Sequence, residues 1–314
     1  MKTSALTSPR RGPIERIEGL TRQEFEAEFR SRSEPVVMVG FARDWLSGRA
    51  WTLENIESIY GDLEVPVTVD LPMGGSPYLR PNKDHRRRMT VRGFLEKLRS
   101  AAPDRPCYID SSNMRSYPEL MAEVDFRGYT NHPVEAGSTY LWLGSSNTRS
   151  GLHFDPSENF LVQVFGKKKA MLVAPDDPAS LYPMEPYVSK SKVDPEDPDL
   201  SAFPGFARVE IKETVLEPGD LLFIPRFWWH HLRSLENSIS VNHWFPGTDA
   251  SLAWQMVKVL NACGPRYWWR TMRDFVAHGL LRIEFEPNLY TPQPLGVILY
   301  KALSTGLRRV ILRR

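Results

Sequence analysis

The stretch GLHFDPSENF (residues 151–160) sets His153 and Asp155 two residues apart. Side chains at i and i+2 of an extended strand share a face, so an imidazole and a carboxylate converge there. A lone His-x-Asp is also common in polar turns, and a metal site needs a third ligand. The stretch PGDLLFIPRFWWHHLRSLENSISVNHWF (218–245) offers one. His230 and His231 are adjacent and face opposite sides of a strand, so at most one of them can join the pair. In strict alternation His231 shares its face with Arg233, which wants water, and His230 shares its face with Leu232. His230 is therefore the expected third ligand.

Two histidines and one carboxylate, bound on one face of a metal with the remaining positions open, form the usual ligand set of non-haem Fe(II) oxygenases. A structural zinc would instead be closed by a fourth protein ligand. Only Cys107 and Cys263 are present, so neither a disulfide framework nor a cysteine zinc site is encoded. Lys168 follows in GKKK (166–169), one strand and a turn after His153. A lysine facing a barrel interior needs an anion, and the far carboxylate of 2-oxoglutarate would be that anion. The other reading of a lysine run is a solvated hairpin tip.

The elements that must position these residues change character along the chain. Residues 1–13 read as a flexible arm. TRQEFEAEF has a capping box, Thr21 with Glu24, and starts a helix. PVVMVG (35–40) reads as a strand, WTLENIESIYGD (51–62) as a Thr-capped helix with a Gly stop, and EVPVTVD (64–70) as a strand. The segment 71–89 reads as a Gly/Pro-rich loop carrying Arg86, Arg87 and Arg88, and a helix follows over 90–100. From 106 onward, short apolar runs separated by turn residues suggest an antiparallel sandwich or barrel. FGKKKAML reads as a tight hairpin and EPGDLLFIP as a turn feeding a buried strand. A Pro/Asp-rich excursion over 175–207 interrupts the strands, a length typical of lids and binding surfaces. Beyond 248 the pattern is helical, with Leu252, Met256, Val259 and Leu260 on one apolar face and Leu295, Leu299, Leu303, Leu307 and Val310 on another. Gly306 weakens the second as a single helix.

Forty basic residues stand against 38 acidic ones. That balance argues against a dedicated nucleic-acid binder. The first residues lack the apolar run of a signal peptide, and no stretch is long and apolar enough for a membrane span, so a cytoplasmic location is expected. Nine Trp cluster partly at FWWHH and RYWWR, which reads first as core or interface packing.

Taken in order, HFD with Asn159 and Lys168, EPGDLLFIP, FWWHH and SVNHWF resemble the JmjC-type, cupin-fold 2-oxoglutarate oxygenases. The likeness extends to EFEAEFRSRSEPVVMVGFARDW, covers roughly 14–247, and is nearest to the small hydroxylase branch that includes the asparaginyl hydroxylase acting on hypoxia-inducible factor. It implies a mainly β fold with flanking helices, a double-stranded β-helix (cupin or jelly roll) with a C-terminal helical extension. It also implies His153, Asp155 and His230 as Fe(II) ligands, and Lys168 on the distal carboxylate of 2-oxoglutarate with Ser150 sharing it. Asn159 and Asn242 would line the co-substrate pocket, and Tyr108 would reach 2-oxoglutarate from the preceding strand. The spacing from Tyr108 to His153 is shorter than in the relatives, so an ordinary core tyrosine is an equal reading. The reaction implied is hydroxylation of a C–H bond with O₂, with succinate as co-product. The resemblance favours a peptide or protein side chain as substrate, with a small-molecule or natural-product intermediate as the alternative and RNA less favoured. The arginines at 86–88 could meet an acidic substrate or simply be solvated. Two rivals remain open, a non-catalytic cupin that binds a peptide and a zinc or manganese cupin isomerase. Residues 248–314 are expected to build a homodimer, as such C-terminal helices do in relatives.

Overall fold

Fourteen strands build two sheets in this computed structural model, which describes residues 8–246 apart from 49, 72, 127, 131 and 186, then 252–286 and 293–311. In chain order they are β1 (Arg10–Pro13), β2 (Glu15–Glu18), β3 (Val36–Val39), β4 (Glu64–Thr68), β5 (Arg86–Thr90), β6 (Tyr108–Asn113) and β7 (Thr139–Gly144). The series continues with β8 (His153–Phe154), β9 (Glu158–Phe165), β10 (Lys168–Val173), β11 (Glu210–Leu216), β12 (Leu221–Ile224), β13 (Trp229–Ser234) and β14 (Ser238–Phe245). The smaller sheet has the order β1-β11-β10-β13-β8, and the larger β2-β3-β12-β9-β14-β7-β6-β4-β5. Their facing sides form the inside of a double-stranded β-helix, mainly β with flanking helices.

Period-two alternation explains why the central strands are apolar on both faces. On β10, Ala170 and Leu172 meet Val37, Leu161, Leu222 and Trp228 between the sheets, while Met171 and Val173 pack outward against Phe206 and Trp229. The outer face of the larger sheet (Phe160, Val162, Val241, Phe245) is covered by helices bringing Phe25, Ile56, Phe94 and Leu95. One end of the interior is thus a closed apolar plug. At the other end the inward positions turn polar, and the site opens there.

Several expectations change. The arm ends earlier than expected: residues 1–7 lie outside the described part, but Arg10–Pro13 pair in parallel with Glu210–Glu213, and Arg11 meets Glu213 at 2.9 Å. A partner about 200 residues away is invisible to local pattern. The capping box at Thr21 and Glu24 is present, yet the helix widens into a π turn over Phe25–Arg30, with Phe25, Phe29 and Arg30 buried. The arginine run is not in a loop, because Arg86–Thr90 is an edge strand paired with β4. FGKKKAML is not a hairpin either: β9 pairs with β12 and β14, and β10 with β11 and β13, so Gly166 and Lys167 form a corner from one sheet to the other. The excursion 175–207 is anchored by buried Leu181, Met184, Val188, Val193 and Phe206. The tail holds three helical stretches where two were expected: Leu252–Cys263, Pro265–Asp274 continued by a π turn to Leu280, and Leu295–Ile311, which runs unbroken through Gly306. The side chains of Leu252, Met256, Leu307 and Val310, and the boundary at 247–248, lie outside the described part. No helix among the described residues is long and apolar enough to cross a membrane.

Candidate active site

His153 enters from β8 and His230 from β13, directly opposite each other in an antiparallel pair. Residues facing each other across such a pair point to the same side of the sheet, and the two ring centroids lie 4.1 Å apart. Asp155 follows β8 and completes a group whose ligand atoms all lie within 4.8 Å of one another. Nδ1 of His153 donates to the carbonyl of Gly151 at 2.8 Å, and Nδ1 of His230 to that of Trp228 at 3.0 Å. A carbonyl only accepts, so each Nδ1 carries the proton and each Nε2 presents a bare lone pair. Burial, then the neighbouring His230, holds His153 well below the usual imidazole range. His230 is also lowered by burial, with Asp155 opposing. Both rings are therefore neutral at pH 7, the form that ligates. Asp155 accepts from the indole Nε1 of Trp244 through Oδ2 at 3.0 Å. This donor set, oriented by outer hydrogen bonds, fits Fe(II).

His231 points the other way, as alternation requires, but not into water. It is buried, 3.7 Å from Glu196, and Arg233 also meets Glu196 at 2.7 Å. The excursion supplies that carboxylate and roofs the outer face.

A cavity of about 400 Å³ connects the cluster to the remaining expected residues: Tyr108, Ser150, Asn159, Lys168 and Asn242 all line it. Lys168 shares the inward face of β10 with Ala170 and Leu172, and β10 neighbours β13 rather than β8. The lysine is 2% exposed, and its Nζ donates to Ser240 Oγ at 2.6 Å. Ser240 in turn donates to Gln163 Oε1 at 2.7 Å. No carboxylate among the described residues pairs with Lys168, and burial pushes its ammonium down to about 7. Asn242 Nδ2 donates to Asn159 Oδ1 at 2.7 Å, locking the two amides together. Ser150 Oγ accepts from the amide of Leu232 at 3.1 Å, which leaves its hydroxyl proton available to the cavity. Tyr108 is buried against Trp142, ring centroids 5.7 Å apart. A larger groove, about 630 Å³ beside Glu15 and Glu28, contains none of these groups.

Sequence reasoning missed Tyr78, Asp110, Trp142, Lys190 and Trp244, which also line the cavity. Trp244 was findable, since it stands two residues from Asn242 on the same face of β14. Trp142 and Asp110 depend on which neighbours β7 and β6 acquire. Lys190 comes from the excursion and bridges to His153 in a single antiparallel pair, a contact without a local signature.

The fold and this cluster define a cupin with an open, iron-type facial ligand set. The chain belongs to the cupin-like domain family, whose pattern matches residues 22–251. It is similar to lysine-specific demethylase 8 of Danio rerio, 32% identical over 241 residues, 74% of this chain and 58% of that one. It is also similar to the Jumonji C domain-containing protein 5 of Drosophila melanogaster, 27% identical over 74% of this chain and 59% of that one. A third relative is the tRNA wybutosine-synthesizing protein 5 of Homo sapiens, 27% identical over 73% of this chain and 76% of that one. The chain spans little more than half the length of the first two relatives. The likeness to JmjC-type oxygenases holds at the level of the family, and the cofactor set that goes with it is Fe(II), 2-oxoglutarate and O₂. The narrower likeness to the asparaginyl hydroxylase stays one of motifs.

Proposed function

We propose that this chain is an Fe(II)- and 2-oxoglutarate-dependent dioxygenase that hydroxylates a C–H bond of a peptide or protein side chain. The observation carrying this reading is the meeting, in one cavity, of a three-ligand cluster with a buried lysine that has no acid of its own. A cupin isomerase has no use for such a lysine, and a non-catalytic binder has no use for the open ligand set.

His153, Asp155 and His230 would hold the metal, each kept in its ligating orientation by Gly151, Trp244 and Trp228 respectively. Lys168 would neutralise the distal carboxylate of 2-oxoglutarate, with Ser150 donating its hydroxyl to the same group and Tyr108 closing that end. The Asn159–Asn242 pair would flank the co-substrate. Fe(II) and 2-oxoglutarate held there would supply oxidation by O₂, in which one oxygen atom would go to the co-substrate, released as succinate and CO₂, and the other to the substrate C–H bond. The surrounding aromatic side chains Tyr78, Trp142 and Trp244 restrict water access.

Purified protein should form succinate only when Fe(II) and 2-oxoglutarate are both present, and a peptide substrate should gain the mass of one oxygen. His153→Ala, Asp155→Ala and His230→Ala should each abolish succinate and weaken Mn(II) binding by about 10-fold or more. His231→Ala should bind Mn(II) as the native protein does. Native protein that binds Mn(II) but makes no succinate with any peptide would overturn the reading.

A further inference from the structure

Three cations and two carboxylates line the cavity: Arg86, Lys168 and Lys190 against Asp110 and Asp155. Arg86 is matched, because its two terminal nitrogens fork onto the two Asp110 oxygens at 2.8 Å each. Asp110 Oδ1 also accepts from Thr68 Oγ1 at 3.1 Å. Lys168 is reserved, on the reading above, for the co-substrate. Lys190 is not matched. Its backbone stands opposite His153 in an antiparallel bridge, so its side chain enters beside the ligand cluster. The ammonium sits 5.0 Å from the centre of the Tyr78 ring, and among the described residues its Nζ makes no hydrogen bond or ion pair. Burial works against its charge and the carboxylate of Asp155 works for it, but that carboxylate faces the metal position and Trp244.

Binding a metal dication together with a dicarboxylate leaves this balance unchanged, with one positive charge over. A half-buried ammonium aimed into a confined cavity is stabilised by an anion and repels a cation. No acid in the cavity is free to receive a cationic side chain, since both oxygens of Asp110 are already taken by Arg86.

We propose that the substrate subsite takes an anionic group, a carboxylate or phosphate, held by Lys190 beside the metal position, and that it rejects cationic side chains. This deepens the oxygenase reading and rests on it. It also separates the chain from relatives whose names specify lysine.

The test uses the full chain loaded with Mn(II) and N-oxalylglycine, an unreactive analogue of the co-substrate. Calorimetry would follow binding of N-acetyl amides of aspartate, glutamate, phosphoserine, asparagine, glutamine, serine, lysine and arginine. At least one acidic probe should bind roughly tenfold or more tighter than its neutral counterpart, and the basic probes weakest of all. Aspartate and glutamate against phosphoserine distinguishes carboxylate from phosphate. Lys190→Met should erase the acid preference while binding N-oxalylglycine within about twofold of the native protein, which also reports that it is folded. Equal binding of acidic and neutral probes overturns the proposal, as does failure of every acidic probe to bind at millimolar concentration. A preference that survives Lys190→Met overturns it too. So does a loss of N-oxalylglycine affinity in Lys190→Met, which would make Lys190 a co-substrate anchor. If native protein fails to bind N-oxalylglycine at all, the oxygenase reading itself falls, a result distinct from each of these.

Discussion

On the proposed function, co-substrate recognition would turn on the charge of Lys168, and its environment dictates a pH dependence. Burial lowers its ammonium from the ordinary 10.5 to about 7. Between those values the unfolded chain binds more protons at this site than the folded one, so stability rises with pH there. The destabilising cost is full below about pH 7 and fades towards pH 10.5. A bound carboxylate favours the charged form, so above pH 7 binding must take up a proton. N-oxalylglycine affinity should fall roughly tenfold per unit as pH rises past 7, and calorimetry in buffers of different ionisation enthalpy should report uptake approaching one proton at pH 8 and little at pH 6. Lys168→Met should flatten this dependence and weaken binding by roughly 100- to several-thousand-fold, since a buried charge pair broken on one side costs about 3–5 kcal/mol. Unchanged affinity in this variant would return the co-substrate to another anchor.

At the scale of elements, the corner at Gly166 decides which sheet Lys168 belongs to. Gly166 has φ +65, and a Cβ there would stand 2.1 Å from the carbonyl oxygen of Asn237. Backbone oxygen cannot move aside cheaply, and the left-handed conformation adds about 1–2 kcal/mol for any residue with a Cβ. Gly166→Ala should therefore lower unfolding free energy by at least roughly 2 kcal/mol in urea titrations. Because the strain sits at the root of β10, N-oxalylglycine affinity should fall with it. A variant as stable as the native protein would mean that the corner relaxes without cost. The excursion plays a comparable positioning part: Glu196 closes the back of β13 and Lys190 the front of the cavity.

For the whole molecule, the tail raises the question of a partner. Along the helix from Pro265 and its π-turn continuation, Trp269, Met272, Val276 and Leu280 are spaced three and four apart and are 70%, 45%, 44% and 54% exposed. Leu281 and Ile283 extend the patch at 65% and 54%. The opposite side is occupied: Leu295 and Leu299 pack with Tyr267 and Trp268 against the outer face of the smaller sheet. We propose that a second copy covers the exposed stripe, which makes residues 248–314 the dimerisation extension. Contiguous apolar surface of this kind marks interfaces, and two-fold pairing is the commonest assembly. Light scattering at micromolar concentration should give twice the chain mass, and Trp269→Glu with Val276→Glu should give monomer with catalysis of the core retained. Native protein that scatters as a monomer would leave the stripe to some other partner.

What the sequence determined by itself was local or periodic. His153 and Asp155 converge because i and i+2 share a strand face, and His230 rather than His231 faces inward because adjacent residues cannot share one. The capping box at Thr21 and Glu24 and the strand runs follow from the same short-range rules, and the ordered motifs carried the family. Tertiary structure decided everything that depends on which strands become neighbours. A Gly-Lys corner and a Gly-Lys hairpin look alike in one chain, but only the corner sends β9 and β10 into different sheets. Water on the far side of His231 was a reasonable guess from Arg233, yet the excursion brings Glu196 there instead. Arg86 belongs to a strand because β4 offers it hydrogen bonds, and it is neutralised because β6 brings Asp110 within reach. Lys190 becomes a wall of the active site through one backbone bridge to His153. Charge balance in a cavity is a sum over residues distant in sequence, so only the folded chain can set its sign.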